Sequence, residues 1–336
     1  MELQFCINCT TFASEKDIIV KTKTITLSGS ESGRYFSGHF AMLCATIFWG
    51  ALSPIAKGIL KEGLIDGLAL SVLRIGGGAL LFLLASLLPS ALTGDKPVER
   101  KDLLTLLIAS VIMISLNQGL FIIAIDYTTP IDTSVMCTMT PVFTLLLAAV
   151  FIGQKLTPLK IAGVFLGLAG ALFIAFSETD TAIASNPLLG NTLCLLAQLC
   201  AAVYYVFFLK IINKYPPFTI MKWMFLFAAL TYVPCMLPFI GNISWNDISA
   251  TSIYSLAYVI IFPTFIAYLL IPFSQRILKP TVISMYAYLQ PVVSAVISSV
   301  MGLAIFGWSR ILGTVMIFTG VFLVSSAVRK ASHQNS

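Results

Sequence analysis

Residues 130–170 read PIDTSVMCTMTPVFTLLLAAVFIGQKLTPLKIAGVFLGLAG, and residues 280–320 read PTVISMYAYLQPVVSAVISSVMGLAIFGWSRILGTVMIFTG. Laid over each other at an offset of 150, they agree at residues that govern the backbone. Pro130 falls on Pro280, Ser134 on Ser284, Pro141 on Pro291, Gly163 on Gly313 and Gly170 on Gly320. Apolar residues coincide easily by chance. Prolines and glycines mark helix breaks and close approaches, so their coincidence points to a duplication. Leu43–Cys44 meets Leu193–Cys194 at the same offset, which carries the echo back to the first apolar run.

Working outward, about ten apolar stretches follow one another, near 40–60, 66–88, 103–125, 130–152, 159–177, 190–210, 218–240, 251–273, 281–301 and 308–328. A membrane-crossing helix needs about 20 such residues. Charged residues make up 10% of the chain, against about 25% in soluble domains, so the solvent is lipid. Lipid admits only helices and closed barrels, and alternating strand patterns are absent. The expected fold is all-α and integral to the membrane, with ten transmembrane helices as two five-helix repeats. Five is odd, so the second copy enters inverted, as in alternating-access carriers. The expected division is a disordered cytoplasmic tail at 1–38, repeats at 39–178 and 189–328, and a cytoplasmic tail at 329–336.

The net charge of +6 marks topology rather than nucleic-acid binding. Lys96, Arg100 and Lys101, then Lys155 and Lys160, Lys210 and Lys214, Arg276 and Lys279, and finally Arg329 and Lys330 all fall on alternate connections. By the positive-inside rule both termini are cytoplasmic, in a multi-pass cell (inner) membrane protein. Cys6 and Cys9 lack a second pair, and His39 and His333 flank the membrane region, so no metal site is expected. No nucleotide-binding glycine loop occurs, so no ATPase motor and no cofactor is expected.

Polar residues inside the runs are the site candidates. Arg74 lies about 12 Å deep at about 1.5 Å per residue. It reads either as a clamp for a carboxylate or phosphate or as a staple to backbone carbonyls or a loop acid. Lys57 either snorkels to the outer interface or meets substrate. Ser134, Thr138 and Pro141 share a helical face, as do Ser284, Tyr288 and Pro291, with Tyr286 and Gln290 on a second polar face. These faces suit cavity walls or helix–helix hydrogen bonds. The prolines Pro141 and Pro291 are read as helix kinks. Asn117 and Gln118 either line a pore or glue helices. Trp49, Tyr204 and Tyr205 are walls or ordinary packing. No acid lies mid-span, which argues against a buried-carboxylate proton relay.

Over about residues 40–328 the chain resembles the EamA branch of the drug/metabolite transporter superfamily. The likeness rests on Trp49–Gly50 with Lys57 seven residues on, Arg74 in LRIGGG, the prolines of MTPV (Pro141) and LQPV (Pro291), and the glycine patterns of the fifth and tenth spans. It implies a secondary transporter, an exporter of a small metabolite such as an amino acid or related compound. The second half departs from the pattern: Phe207 and Met224 stand opposite Lys57 and Arg74. The expected partners are a small-molecule substrate and the lipid bilayer, with a homodimer left open and no nucleic acid. The chain is not expected to be an enzyme. The competing readings are a membrane-embedded enzyme on lipid-linked substrates, needing Asp66, Asp126, Asp132, Lys57 and Arg74 to assemble, and a non-transporting membrane sensor or scaffold.

Overall fold

The computed structural model describes residues 29–128, 133, 136–176, 186–239, 243, 245–300 and 308–334. Among these the chain is helical throughout, with no strand. The principal helices are α1 (Gly29–Lys61), α2 (Gly67–Ala85), α3 (Arg100–Tyr127), α4 (Met139–Phe151), α5 (Pro158–Phe176), α6 (Pro187–Phe207), α7 (Pro217–Met236) and α8 (Ala250–Gln275). Next come α9, in two pieces (Pro280–Met285 and Leu289–Val300), and α10 (Trp308–Gln334). Six of the described helices, α1, α2, α3, α6, α7 and α8, are long and apolar enough to cross a membrane; α4 and the apolar parts of α5 and α10 are shorter.

Local chemistry sets several helix ends. Asp66 caps α2 by accepting from the Ala69 N–H at 2.6 Å, and Asn186 caps α6 with Pro187 in its first turn. Gly63 (φ 71°) turns the chain after α1 and Gly153 (φ 67°) after α4, in the left-handed region glycine tolerates. Residues 29–38 correct the sequence reading. They belong to α1 rather than to a disordered tail, because extending an existing helix is far easier than nucleating one. Residues 1–28 lie outside the described residues.

The fourth and ninth spans are also not the continuous helices expected. Thr138 sits in a turn and α4 starts at Met139; Tyr286–Tyr288 form a 3-10 turn and the second piece of α9 starts at Leu289. Pro141 and Pro291 each stand third in their segment, where a backbone N–H has no helical acceptor. They therefore begin helices rather than kink them mid-way. Were α4 continuous, Pro141 would leave Cys137 O without a donor; the Thr140 hydroxyl reaches that oxygen instead, at 2.9 Å.

Packing repeats at the same offset of 150. A π-helical segment interrupts α3 at Val111–Gln118 and another interrupts α8 at Ile261–Ile266. α1 packs on α8 and α9, while α6 packs on α3 and α4. α2 lies antiparallel to α7: the Ser71 and Tyr232 hydroxyls are 2.9 Å apart, and further along Phe82 packs on Phe225 and Phe218. α5 lies antiparallel to α10, Gly163 against Gly320 and Gly170 against Gly313.

Candidate functional site

A cavity with about 590 Å³ of atom-free space, open mouth included, lies where these helices converge. On α1, Met42, Thr46 and Trp49 share one face at i, i+4, i+7 and present it to the cavity with Leu52. Gly50 is the reason α1 comes close enough. A Cβ there would stand 2.5 Å from Val293 Cβ of α9. The other walls are Arg74 of α2; Met113, Asn117, Gln118 and Phe121 of α3; Cys137 and Thr140; Gln198, Ala201 and Tyr205 of α6; Tyr268 of α8; and Ile283, Ser284, Ala287 and Gln290 of α9.

Arg74 owes its place to the break in α8. Pro263 has no N–H, so Val259 O loses its helical donor; the Thr264 hydroxyl donates to it at 2.8 Å. Arg74 Nε then donates to Thr264 Oγ1 at 2.8 Å. The π segment sends the Ala267 N–H to Phe262 O and Thr264 O, leaving Pro263 O for side chains. Trp49 Nε1 donates to it at 2.9 Å and Arg74 Nη2 at 3.4 Å. These bonds tie α1 and α2 to α8 and hold the guanidinium at 1% exposure. Among the described residues no carboxylate lies within ion-pair reach of it. Taking an ion out of water carries a penalty of several kcal/mol, so a lone buried charge is a demanding feature.

The π segment of α3 leaves other groups open. Asn117 Nδ2 donates to Ala197 O of α6 at 2.7 Å. Gln118 is 2% exposed, and neither Nε2 nor Oε1 makes a well-aligned hydrogen bond among the described residues, though the Tyr268 hydroxyl stands beside the amide. An unsatisfied buried polar group costs about 1–3 kcal/mol. The Tyr268 ring stands edge-on to Trp49 at 5.7 Å. On the far wall the Gln198 side-chain amide lies 2.7 Å from the Thr140 hydroxyl, whose one proton goes to Cys137 O.

Of the residues singled out by sequence, Trp49, Arg74, Asn117, Gln118, Tyr205, Ser284 and Gln290 meet at this cavity. Others do not line it. Lys57 Nζ donates to Ile125 O at 2.8 Å, Thr128 O at 3.2 Å and Asp126 O at 3.3 Å, closing the end of α3. Tyr288 turns away, packs where Gly167 leaves room and donates to Val164 O at 2.9 Å. Tyr286 pairs with His39 Nδ1 at 2.6 Å near the start of α1. Tyr204 stacks on Phe208, and Thr138 is buried in the turn before α4. The helix break at 286–288 explains the α9 misses, since it rotates Tyr288 off the face shared with Ser284. Ser134 lies outside the described residues. Thr46, Thr140, Gln198 and Tyr268 were missed; Gln198, a polar residue within an apolar run, was the legible signal.

The carboxylates needed for an acid–base constellation are occupied structurally. Asp66 caps α2, and Asp126 Oδ2 accepts from the Gly67 N–H at 2.9 Å; Asp132 lies outside the described residues. Among the described residues no group of three His, Cys, Asp or Glu gathers as a metal site.

Two stretches, residues 36–176 and 188–326, each match the EamA-like transporter family. The chain belongs to that family. This EamA-like chain is 21% identical to the uncharacterized transporter YyaM of Bacillus subtilis, over 88% of its own length and 96% of YyaM. It is 22% identical to the uncharacterized inner membrane transporter YicL of Salmonella typhimurium, over 87% and 96%. A WAT1-related protein of Arabidopsis thaliana is 23% identical over 85% and 77%. A solved crystal structure covers 89% of the EamA-like chain and 99% of its own, with a TM-score of 0.69 at 17% identity; that likeness concerns the fold. Family and apolar helices together make this a multi-pass membrane transporter.

Proposed function

We propose that the EamA-like chain is a secondary carrier of ten spans, α1–α5 and α6–α10, forming two inverted five-helix units at 39–178 and 189–328. The units open the cavity to one side and then to the other, and carry a small polar or amphipathic metabolite out of the cell. One observation carries the reading. The cavity is walled by both units, whose contacts pair crosswise. Gly163 meets Gly320 and Gly170 meets Gly313, as a twofold axis between antiparallel halves requires. The positive-inside pattern supports cytoplasmic termini. Toward the expected outer end, Leu52, Ile59, Leu70 and Ile125 belong to one buried apolar cluster. At the inner end α1 and α9 meet at His39 and Tyr286. Shifts at these two places would change the accessible side.

Reconstitution into vesicles tests the carrier. A pooled metabolite mixture is presented and vesicle contents are read by mass spectrometry. A subset of compounds should equilibrate across the membrane. Ala201→Trp, which fills the cavity from α6, should abolish that flux while the purified variant still unfolds cooperatively. Flux that survives the filled cavity would overturn the reading.

A further inference from the structure

The cavity of the EamA-like chain has one formal charge among its described lining residues, Arg74. The guanidinium spends Nε on Thr264 and one Nη2 proton on Pro263 O, and its Nη1 protons have no partner among the described residues. Beside it stands Gln118, nearly fully buried and lining the same space, its amide in no well-aligned hydrogen bond among the described residues. Tyr268 lines the same space, with its hydroxyl beside the Gln118 amide. The remaining wall is largely apolar and aromatic, with Trp49, Leu52 and Phe121.

We propose that this site selects a monoanionic carboxylate with an apolar body, the carboxylate seated between Arg74 and Gln118 and the body lying along Trp49 and Phe121. The proposal rests on the carrier reading and names its substrate class. Charge balance decides among candidates. One carboxylate neutralises one guanidinium, and its oxygens accept from Nη1 and from Gln118 Nε2, giving both donors a charged acceptor. A phosphate monoester carries about −1.5 to −2 charges and leaves negative charge uncompensated in a site with no second basic residue among its described walls. A zwitterionic amino acid brings an ammonium that meets no carboxylate there, and an unpaired buried ion is strongly disfavoured. A primary amide leaves Arg74 as uncompensated as before.

Binding to the purified full chain in detergent, read by thermal shift and tryptophan fluorescence, tests this. The probes are 3-phenylpropanoate and hexanoate, the amide of each, phenethyl phosphate and phenylalanine. At least one carboxylate should bind about tenfold or more tighter than its amide, the phosphate and the amino acid, a gap of about 1.4 kcal/mol. Arg74→Gln should erase that preference. Because Arg74 also braces α8, Gln118→Leu supplies the second arm. It removes an amide with no well-aligned hydrogen bond, so the ligand-free protein should lose no more than about 1 kcal/mol, yet carboxylate affinity should fall about tenfold. Absence of carboxylate binding, an amide or amino acid bound as tightly, or a preference untouched by Gln118→Leu would each overturn the proposal. Vesicle flux separates the two readings. Carboxylate binding without flux leaves the anion site standing and removes the carrier. Flux of neutral solutes without carboxylate binding keeps the carrier and removes the anion site.

Discussion

Gly163 and Gly320 touch through their backbones. A Cβ on Gly163 would stand 2.8 Å from Gly320 O, and one on Gly320 would stand 2.6 Å from Gly163 O. Seven residues along each helix, Gly170 and Gly313 repeat the contact with partners exchanged. A Cβ on Gly170 would stand 2.7 Å from Gly313 O. In lipid there is little hydrophobic gain from joining two helices, so close backbone packing of this kind supplies the association.

Side chains at this crossing should therefore be poorly tolerated. The obstacle is backbone oxygen rather than a movable side chain, so Gly163→Leu should destabilise by about 1–3 kcal/mol or more. Gly58→Ala in α1 meets nothing within 4 Å and should be neutral or stabilise by about 0.5–1 kcal/mol. Thermal unfolding in detergent compares them; equal midpoints would mean that α5 and α10 stand further apart.

Lys57 is bound to backbone, not to the cavity. Lys57→Met keeps the stem but removes the donor from the carbonyls of Ile125, Asp126 and Thr128. A loss of about 1–3 kcal/mol in stability is expected, with KM for any transported solute unchanged. A raised KM at full stability would return Lys57 to the substrate path.

Pro141 and Pro291 stand where no helical N–H bond is lost, so Pro141→Ala and Pro291→Ala should alter stability by less than about 1 kcal/mol. Each replacement lifts the steric bar that keeps the helix from running back through Thr138 or Tyr286–Tyr288. Turnover in vesicles should fall several-fold at constant thermal midpoint. Unchanged turnover would show that these breaks play no part in the transport cycle.

A surface network between the start of α3 and Lys214, in the connection that follows α6, sets a pH response. Hydrogen bonds from Lys101 and Lys214 hold the Glu99 carboxyl below the usual carboxylate range, and Asp102 and Glu99 raise the Lys214 ammonium above the usual lysine range. The Glu99 contribution is present above its unfolded-state value of about 4.3 and is lost as pH falls through the depressed folded value. The Lys214 contribution is present below about 10.4 and is lost as pH rises through the raised folded value. Thermal midpoints should thus decline below about pH 4, and less steeply in Glu99→Gln. Both side chains are well exposed, so the difference should be small and should shrink further in high salt.

Several features were legible in the chain. Trp49 was readable as a wall or as ordinary packing, and Gly50 only as part of the family pattern; that Gly50 lets α1 approach Val293 needed the packed helices. Arg74 and Gln118 stood out because polar groups in lipid demand a reason. For Tyr286 and Tyr288, read as cavity walls or helix–helix hydrogen bonds, the structure shows hydrogen bonds to His39 and Val164; a helical wheel could not choose, because the 3-10 turn changes the angle per residue just where they lie. Lys57 was ambiguous because a long flexible stem can reach several acceptors, and only the end of α3 shows which. Thr264 could not be singled out, since its role follows from a carbonyl freed by Pro263 one position before it.

The length of the apolar runs and the scarcity of charge by themselves determined that this chain is helical and lives in lipid, and the offset of 150 made a duplication legible, because burial in a bilayer and backbone breaks are written residue by residue. Which polar side chains share a cavity, and that Arg74 faces it without a carboxylate partner among the described residues, only the tertiary structure decided. That outcome depends on how helices far apart in the chain cross and rotate against one another. The rotation is set by π and 3-10 irregularities whose consequences appear only once the helices are packed.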